Sequence, residues 1–356
     1  MGFGGAMRVS HQNPLRCKNG SLPKPGAGGE PPGWPATWSR IKVMKTVFIA
    51  GLMRAGAPVV SAALLFSATV LSPAAGSPTG VQHAIVVGVD GLSPDGVRHA
   101  DAPNLKRLRK QGAWTFHARG VMPTSSSPNW ASMIMGAGPE QHGVTSNDWE
   151  PDKFEIAPTA QGPGGIFPTV FSVLRQQRPD CYLAVFHDWD GFGRLVERKC
   201  VDVVEHLEGP TNTVRRAVDC IKTHRPTLTF LQLDHVDHAG HEYGHGTPQY
   251  YAAVAVADQL IGEVIKAIEE AGLKNDTLLL VTSDHGGRGK GHGGATMEEI
   301  EIPWIITGPG IRAGHEIQTP VNTYDTAATL AFVFGLTPPD AWIARPVREA
   351  FADGKN

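Results

Sequence analysis

The run Thr277 to Gly294, TLLLVTSDHGGRGKGHGG, leaves few folds open to this chain. Its apolar start, Leu278-Leu279-Leu280-Val281, lacks any alternation of polar and apolar residues, as expected of a strand covered on both faces. The strand must stop at Ser283-Asp284-His285-Gly286-Gly287, and Gly291-His292-Gly293-Gly294 follows on a glycine-rich loop. Ligands of open α/β sheets bind in the crevice beyond the carboxyl ends of the strands. An Asp-His pair there, with a second histidine close behind, has the makings of a metal site. Taken alone, the segment fits equally well a turn capped by Asp284 with His285 packed beside it.

The remaining chain repeats this alternation. His83 to Asp90, HAIVVGVD, predicts a first buried strand ending in Asp90-Gly91. Cys181 to His187, Leu228 to Leu233 and Pro303 to Ile306 predict three more. Helices are predicted over Asn104–Gly112, Phe167–Gln177, Asn212–His224, Pro248–Gly272 and Tyr324–Phe334. A further helix should run from Pro128 to Gly136, with Ser127 as its N-cap and proline at its first position. Residues just before it, Ser125 to Ser127, would face the positive helix end, which attracts anions. Strands alternating with helices give an α/β fold class: a mostly parallel central sheet with helices on both faces. Residues 80–350 are expected to form this one domain.

The 356 residues carry a net charge of -2 and no basic run in the body of the chain, which argues against binding to a nucleic-acid duplex. Residues 1–43, rich in Gly and Pro, read as disordered or as a misassigned start. Residues 44–76 combine basic Lys45 and Arg54, an apolar stretch from Ala57 to Leu71, and small residues at Ser72 to Gly76. That order is the one of an export signal. Residues 47–71 are also long enough for a membrane anchor if Arg54 is tolerated, and export is the preferred expectation. After cleavage Cys181, Cys200 and Cys220 would remain, allowing one disulfide at most. Oligomeric state is not legible.

Three predicted strands end in acids: Asp90, the pair Asp234 and Asp237, and Asp284. Carboxylates gathered at one sheet edge repel unless a cation neutralises them, and histidine ligands favour zinc or a similar transition metal. In DHVDHAGHEYGH, residues 234–245, Asp237 and His241 point the same way if the segment turns helically. His235, His238 and His245 are expected to be solvated loop residues.

Taken in order, Asp90-Gly91, Pro123 to Asn129 (PTSSSPN), His142-Gly143 with Asn147, Asp237-His238-Ala239-Gly240-His241, Ser283 to Gly286 and Gly291-His292-Gly293 resemble the alkaline phosphatase superfamily. Within it they look like the type I phosphodiesterase/nucleotide pyrophosphatase family, over residues 83–345. The resemblance implies two Zn2+ ions, with other divalent transition metals as substitutes. One would lie on Asp90, Asp284, His285 and the nucleophile oxygen, the other on Asp237, His241 and His292. The nucleophile, two residues before the proline, falls on Ser126, and Asn147 matches an asparagine that binds a phosphoryl oxygen. Ser125 and Ser127 are expected only to cap backbone. The implied activity is hydrolysis of small-molecule phosphoric esters through a covalent phosphoserine.

Sulfatases share the acidic edge, but their maturation motif is absent around Ser126. Phosphomonoesterases tend to carry an arginine beside the nucleophile, where Ser127 stands, so diesters are the expected substrates. A phosphomonoesterase, a phosphonate hydrolase, or an inactive secreted binding protein of the same fold are the alternatives. Specificity would reside in loops 148–168 and 187–210, whose Trp149, Phe154, Trp189 and Phe192 either meet the leaving group or pack the loops down.

Overall fold

A computed structural model describes residues 80–352, so the expectations for residues 1–43 and 44–76 lie outside the described part. The strands are β1 (His83–Val89), β2 (Ala113–Arg119), β3 (Leu183–His187), β4 (Val203–His206), β5 (Leu228–Leu233), β6 (Thr277–Thr282), β7 (Glu301–Thr307) and β8 (His315–Glu316). The helices are α1 (Pro94–His99), α2 (Pro103–Gln111), α3 (Ser126–Met135), α4 (Pro139–His142), α5 (Val170–Gln177), α6 (Pro210–His224), α7 (His235–Tyr243), α8 (Pro248–Glu270), α9 (Met297–Ile300) and α10 (Asp325–Val333). None of these helices is long and apolar enough to cross a membrane.

The strands form one sheet in the order β4-β3-β5-β1-β6-β7-β2-β8. β7 runs antiparallel to both β6 and β2, whereas the other pairings are parallel. The sheet is therefore mostly parallel, as the alternating sequence predicts. Two cores flank it, and the central strands feed both. Leu278 and Leu280 of β6 enter the core with Trp130, Phe171 and Phe230, while Leu279 and Val281 enter the core with Val254, Ile261 and Val264 of α8. A strand with period-two side chains and buried faces must be apolar at every position, which accounts for the unbroken run in β6.

The four neighbouring strands β3, β5, β1 and β6 point the same way, and each is followed at once, or after one residue, by an acid: Asp188, Asp234, Asp90 and Asp284. β2 and β4 were not anticipated. β2 alternates less cleanly and carries His117 and Arg119 on its exposed side, and β4 is four residues long. Cys181, Cys200 and Cys220 are all buried and unpaired.

Candidate metal centre and nucleophile

Asp90 sits at the end of β1, fully buried. Its Oδ2 accepts from Trp130 Nε1 (3.0 Å) and Gln232 Nε2 (3.1 Å), which fixes the carboxylate and turns Oδ1 toward the crevice. Asp284 and His285 follow β6, both fully buried. The Asp284 Oδ1 atom accepts from the Gly91 amide at 3.2 Å. Oδ1 of Asp90 and Oδ2 of Asp284 are buried without a hydrogen-bond partner, and each lies 3.2 Å from His285 Nε2. The His285 Nδ1 is 2.7 Å from the Gly286 carbonyl, so it carries the proton and donates there. In the neutral ring Nε2 then has no hydrogen to offer, and lone pairs face lone pairs.

This grouping requires a positive charge. Burial opposes charging of the His285 ring, but the adjacent Asp284 and Asp90 outweigh it and push the ring up to about 10. Burial would also raise Asp90, yet hydrogen bonding and charge from His285 hold it below the usual carboxylate range. Asp284, desolvated and beside Asp90, is driven well above that range. A metal ion satisfies the same orphaned oxygens without protonating anything.

The second grouping lies alongside. The segment after β5 does turn helically: α7 brings Asp237 and His241 onto one face, with His241 Nε2 3.1 Å from Asp237 Oδ2. His292, from the glycine loop, places its Nε2 3.1 Å from that of His241. Here too each Nδ1 is occupied, His241 at the Lys290 carbonyl (2.9 Å) and His292 at the Thr124 carbonyl (2.8 Å). Oδ1 of Asp237 is buried and unpartnered. Burial and the Asp90 charge push Asp237 up to about 6, and burial takes His292 down to about 4. Within each trio, Asp90-Asp284-His285 and Asp237-His241-His292, the available ligand atoms lie within 4.8 Å of one another. Three imidazoles held by carbonyls at Nδ1, with Nε2 converging on carboxylates, is the arrangement in which metal-binding histidines are oriented.

Ser126 is the first residue of α3, 6% exposed, with Oγ 3.4 Å from His285 Nε2. Its loop is clamped to the glycine loop by Thr124, whose hydroxyl donates to the Gly294 carbonyl (2.8 Å) and accepts from the Gly293 amide (3.0 Å). The expected capping by the neighbouring serines is corrected. Ser125 occupies the N-cap position, but its hydroxyl makes no cap bond, and Ser127 lies inside the helix with its Oγ buried and unpartnered. The side chain that accepts from an amide at the start of α3 is Asn147, through Ser127 N–H, while the preceding loop is tied down by Asn129. Its Oδ1 accepts from the Val121 amide (2.6 Å), and its Nδ2 donates to the carbonyls of Val121, Pro123 and Ser125 at 3.0–3.3 Å.

Asn147 is exposed, and its Oδ1 accepts from the Ser127 amide at 2.8 Å, which leaves Nδ2 directed elsewhere. Arg194 braces this loop by donating to the Asn147 carbonyl (2.6 Å) and to Glu150 (2.8 Å). It stands 68 residues beyond Ser126, so no local motif could have announced it. His142 holds the same loop from below: the Val144 amide donates to Nδ1 (3.0 Å) and Nε2 donates to Ser132 Oγ (3.0 Å).

Among the other expected histidines, His238 is exposed beside Glu242. His235, expected in a solvated loop, instead opens α7, half-buried, with Nε2 at the Ala253 carbonyl and Nδ1 buried. His245 departs from expectation: its side chain is only 4% exposed and faces Asp237. Asp188 and Asp234 also border the crevice. The Asp234 amide donates to Asp188 Oδ1 (2.6 Å), and burial with neighbouring carboxylates pushes the two acids up to about 7 and about 8. Asp188 had no flag in sequence because β3 is short and its end merges with the following loop. In the specificity loops Trp149 and Phe192 are buried, Trp189 packs against the core, and Phe154 is exposed.

An eight-stranded, mostly parallel sheet with helices and this crevice at its carboxyl edge defines an alkaline phosphatase-like α/β protein. Solved structures of that class superpose on it. Murine ectonucleotide pyrophosphatase/phosphodiesterase 5, in an inactive form with AMP, matches with TM-score 0.61 and 16% identity over 76% of this chain and 100% of its own. The alkaline phosphatase PafA matches with TM-score 0.64 and 11% identity over 76% and 99%. At these identities the likeness is one of fold. The chain belongs to the type I phosphodiesterase/nucleotide pyrophosphatase family, whose model matches residues 84–289. A venom phosphodiesterase of Macrovipera lebetinus is 24% identical over 232 residues, 60% of this chain and 27% of the relative. Human ectonucleotide pyrophosphatase/phosphodiesterase family member 1 is 24% identical over 197 residues, 52% and 21%. The chain thus spans about a quarter of the length of these curated relatives.

Proposed function

We propose that the protein is a zinc-dependent hydrolase of phosphoric diesters, acting through a covalent phosphoserine on Ser126. The observation that carries this reading is the pair of Asp/His trios, the first with orphaned oxygens on Asp90 and Asp284 and its His285 touching a serine at the start of a buried helix. Asp90, Asp284 and His285 would hold one ion and Asp237, His241 and His292 the other. When bound, such ions lower the pKa of an attacking oxygen and stabilise the leaving one in an in-line displacement.

The chain's own part follows from its geometry. Trp130 and Gln232 hold Asp90, and backbone carbonyls hold the three imidazoles, so the site is formed before substrate arrives. The Ser126 hydroxyl attacks phosphorus, the Oγ–P bond forms, and the bond to the leaving oxygen breaks, the hydroxyl proton passing through solvent so that the leaving group departs as its alcohol. Water then cleaves the phosphoserine and restores the hydroxyl. Asn147 Nδ2 and the Ser126 amide at the start of α3 are the donors for nonbridging oxygens, the Ser127 amide being given to Asn147 Oδ1. The Arg194 charge is matched by Glu150, so the guanidinium that braces the Asn147 loop is not free to offset the extra charge of a monoester. Trp149 and Phe192 serve packing, which leaves Phe154 as the aromatic able to meet a leaving group. We read residues 44–76 as directing export.

The test measures zinc by elemental analysis alongside hydrolysis of paired chromogenic aryl diesters and monoesters. Two ions per chain and a higher kcat/KM for the diester are expected. One ion or none after zinc reconstitution overturns the two-metal reading, and an equal or better monoesterase rate overturns the substrate class.

A further inference from the structure

His245 is buried beside Asp237, yet neither ring nitrogen has a hydrogen-bond partner. No other histidine among the described residues is buried with both nitrogens unpartnered. Leaving a buried imidazole so is costly, and the fold has nonetheless made room for it. A Cβ on Gly240 would fall 2.4 Å from His245 Nε2, and one on Gly287 would fall 2.1 Å from it. Gly240 lies inside α7, where glycine is about 1 kcal/mol worse than alanine. Its backbone is not left-handed, so the room it gives the ring is its visible use. The His245 amide donates to the Gly289 carbonyl at 2.7 Å, which fixes the ring's origin against the loop that carries His292.

The ring faces one polar atom that also lacks a partner. Asp237 Oδ2 is turned to His241 at 3.1 Å, whereas the buried Oδ1 lies 3.8 Å from His292 Nε2 and 4.0 Å from His245 Nε2. The last distance is about 1 Å longer than an N–H···O bond, a gap that a small carboxylate rotation closes. His245 stands outside the trio whose ligand atoms lie within 4.8 Å of one another. It is therefore a neighbour of the Asp237 carboxylate rather than a member of the ligand set. We propose that His245 is a positioning residue of the Asp237-His241-His292 metal site, donating from Nε2 to Asp237 Oδ1 so that the carboxylate is held toward the ion. Outer partners of this kind tune affinity by about 10–100-fold. The inference rests on the two-metal reading above.

The experiment uses the full chain and zinc alone. Competition with a chromogenic chelator gives the two zinc affinities of the wild type, His245→Ala and His245→Gln. Loss of about 10-fold or more at one site in His245→Ala, with substantial recovery in His245→Gln, is expected. In the Co2+-substituted protein, the visible bands of wild type and His245→Ala should coincide, since no ligand is lost. Long-range 15N–1H spectra of the unmutated, zinc-loaded protein should show His245 neutral with its proton on Nε2. That spectrum carries the test if the variants do not fold. Wild-type zinc affinity in His245→Ala overturns the proposal, as does a His245 ring whose Nε2 is bound to metal and whose Nδ1 carries the proton. A wild type that binds no zinc fails the two-metal reading itself, and the separate measurement on wild-type protein tells the two failures apart.

Discussion

Replacing each of three consecutive serines by alanine should give three different results, because the structure puts their hydroxyls in three different environments. Ser126 Oγ lies 3.4 Å from His285 Nε2, at the meeting point of Asp90 and Asp284. Removing it deletes the attacking atom, and turnover should fall on the order of 10⁴-fold or more. Six Asp and His side chains remain to hold metal, so zinc content should be nearly unchanged. Ser127 Oγ is buried without a partner. An unsatisfied buried hydroxyl costs about 1–3 kcal/mol, so Ser127→Ala should be neutral or stabilising, by about 1 kcal/mol after its lost contacts are counted. For a folded part of this size that is a Tm rise of roughly 1–2 °C. Ser125, half-buried and without a cap bond, should lose little in either respect. The assay is kcat at saturating zinc with a thermal melt for each variant. A dead Ser125→Ala or Ser127→Ala beside a near-normal Ser126→Ala would refute the assignment, and a Tm loss in Ser127→Ala would refute the stability argument.

Asn129→Ala should be the most damaging change near the nucleophile: four loop hydrogen bonds disappear from a fully buried residue, at about 3–5 kcal/mol by calorimetry or denaturant melts. Chelation should abolish hydrolysis and lower Tm, since the repelling acids then lose their counter-charge. Zinc at 100 times its Kd should restore about 2.7 kcal/mol per site. Acid should destabilise the fold through His142, which burial takes down to about 3. The unfolded chain takes up that proton near pH 6.5 and the folded one only near pH 3, so stability falls as pH drops across this window. His142→Gln should flatten the slope in pH-dependent melts.

The sheet and the two trios were legible because their residues sit at strand ends and in short helical spacings that sequence displays. Asp90, Asp284 and His285 close buried apolar runs, and Asp237 and His241 are four apart in a segment that does become α7. Capping was misjudged because residues outside the serine run make the bonds: Asn147, 20 positions on, accepts from the Ser127 amide, and Asn129 reaches back to the carbonyls of Val121, Pro123 and Ser125 in the loop preceding the helix. Arg194, Asp188 and His245 were hidden for a related reason. Each matters through a partner in another element, Asn147, Asp234 or Asp237, and no local periodicity encodes such a meeting.

The rings of His285 and His292 stack with centroids 3.7 Å apart and planes 14° from parallel. One belongs to each trio, and six residues of a single loop, 286–291, separate them. The two trios are thus mechanically joined, and occupancy of one would bear on the other. If each trio holds an ion as proposed, an ion in either would immobilise its ring and order the stacked neighbour and intervening loop with it. The ordering cost then falls once, and the second ion enters a loop already set, which is positive cooperativity arising from conformational entropy. Coupling of this kind is reciprocal, so withdrawal of either ion loosens its companion. Zinc titration should consequently trace one steep transition with few half-filled molecules, and the protein would pass between an empty and a complete state over a narrow range of free metal.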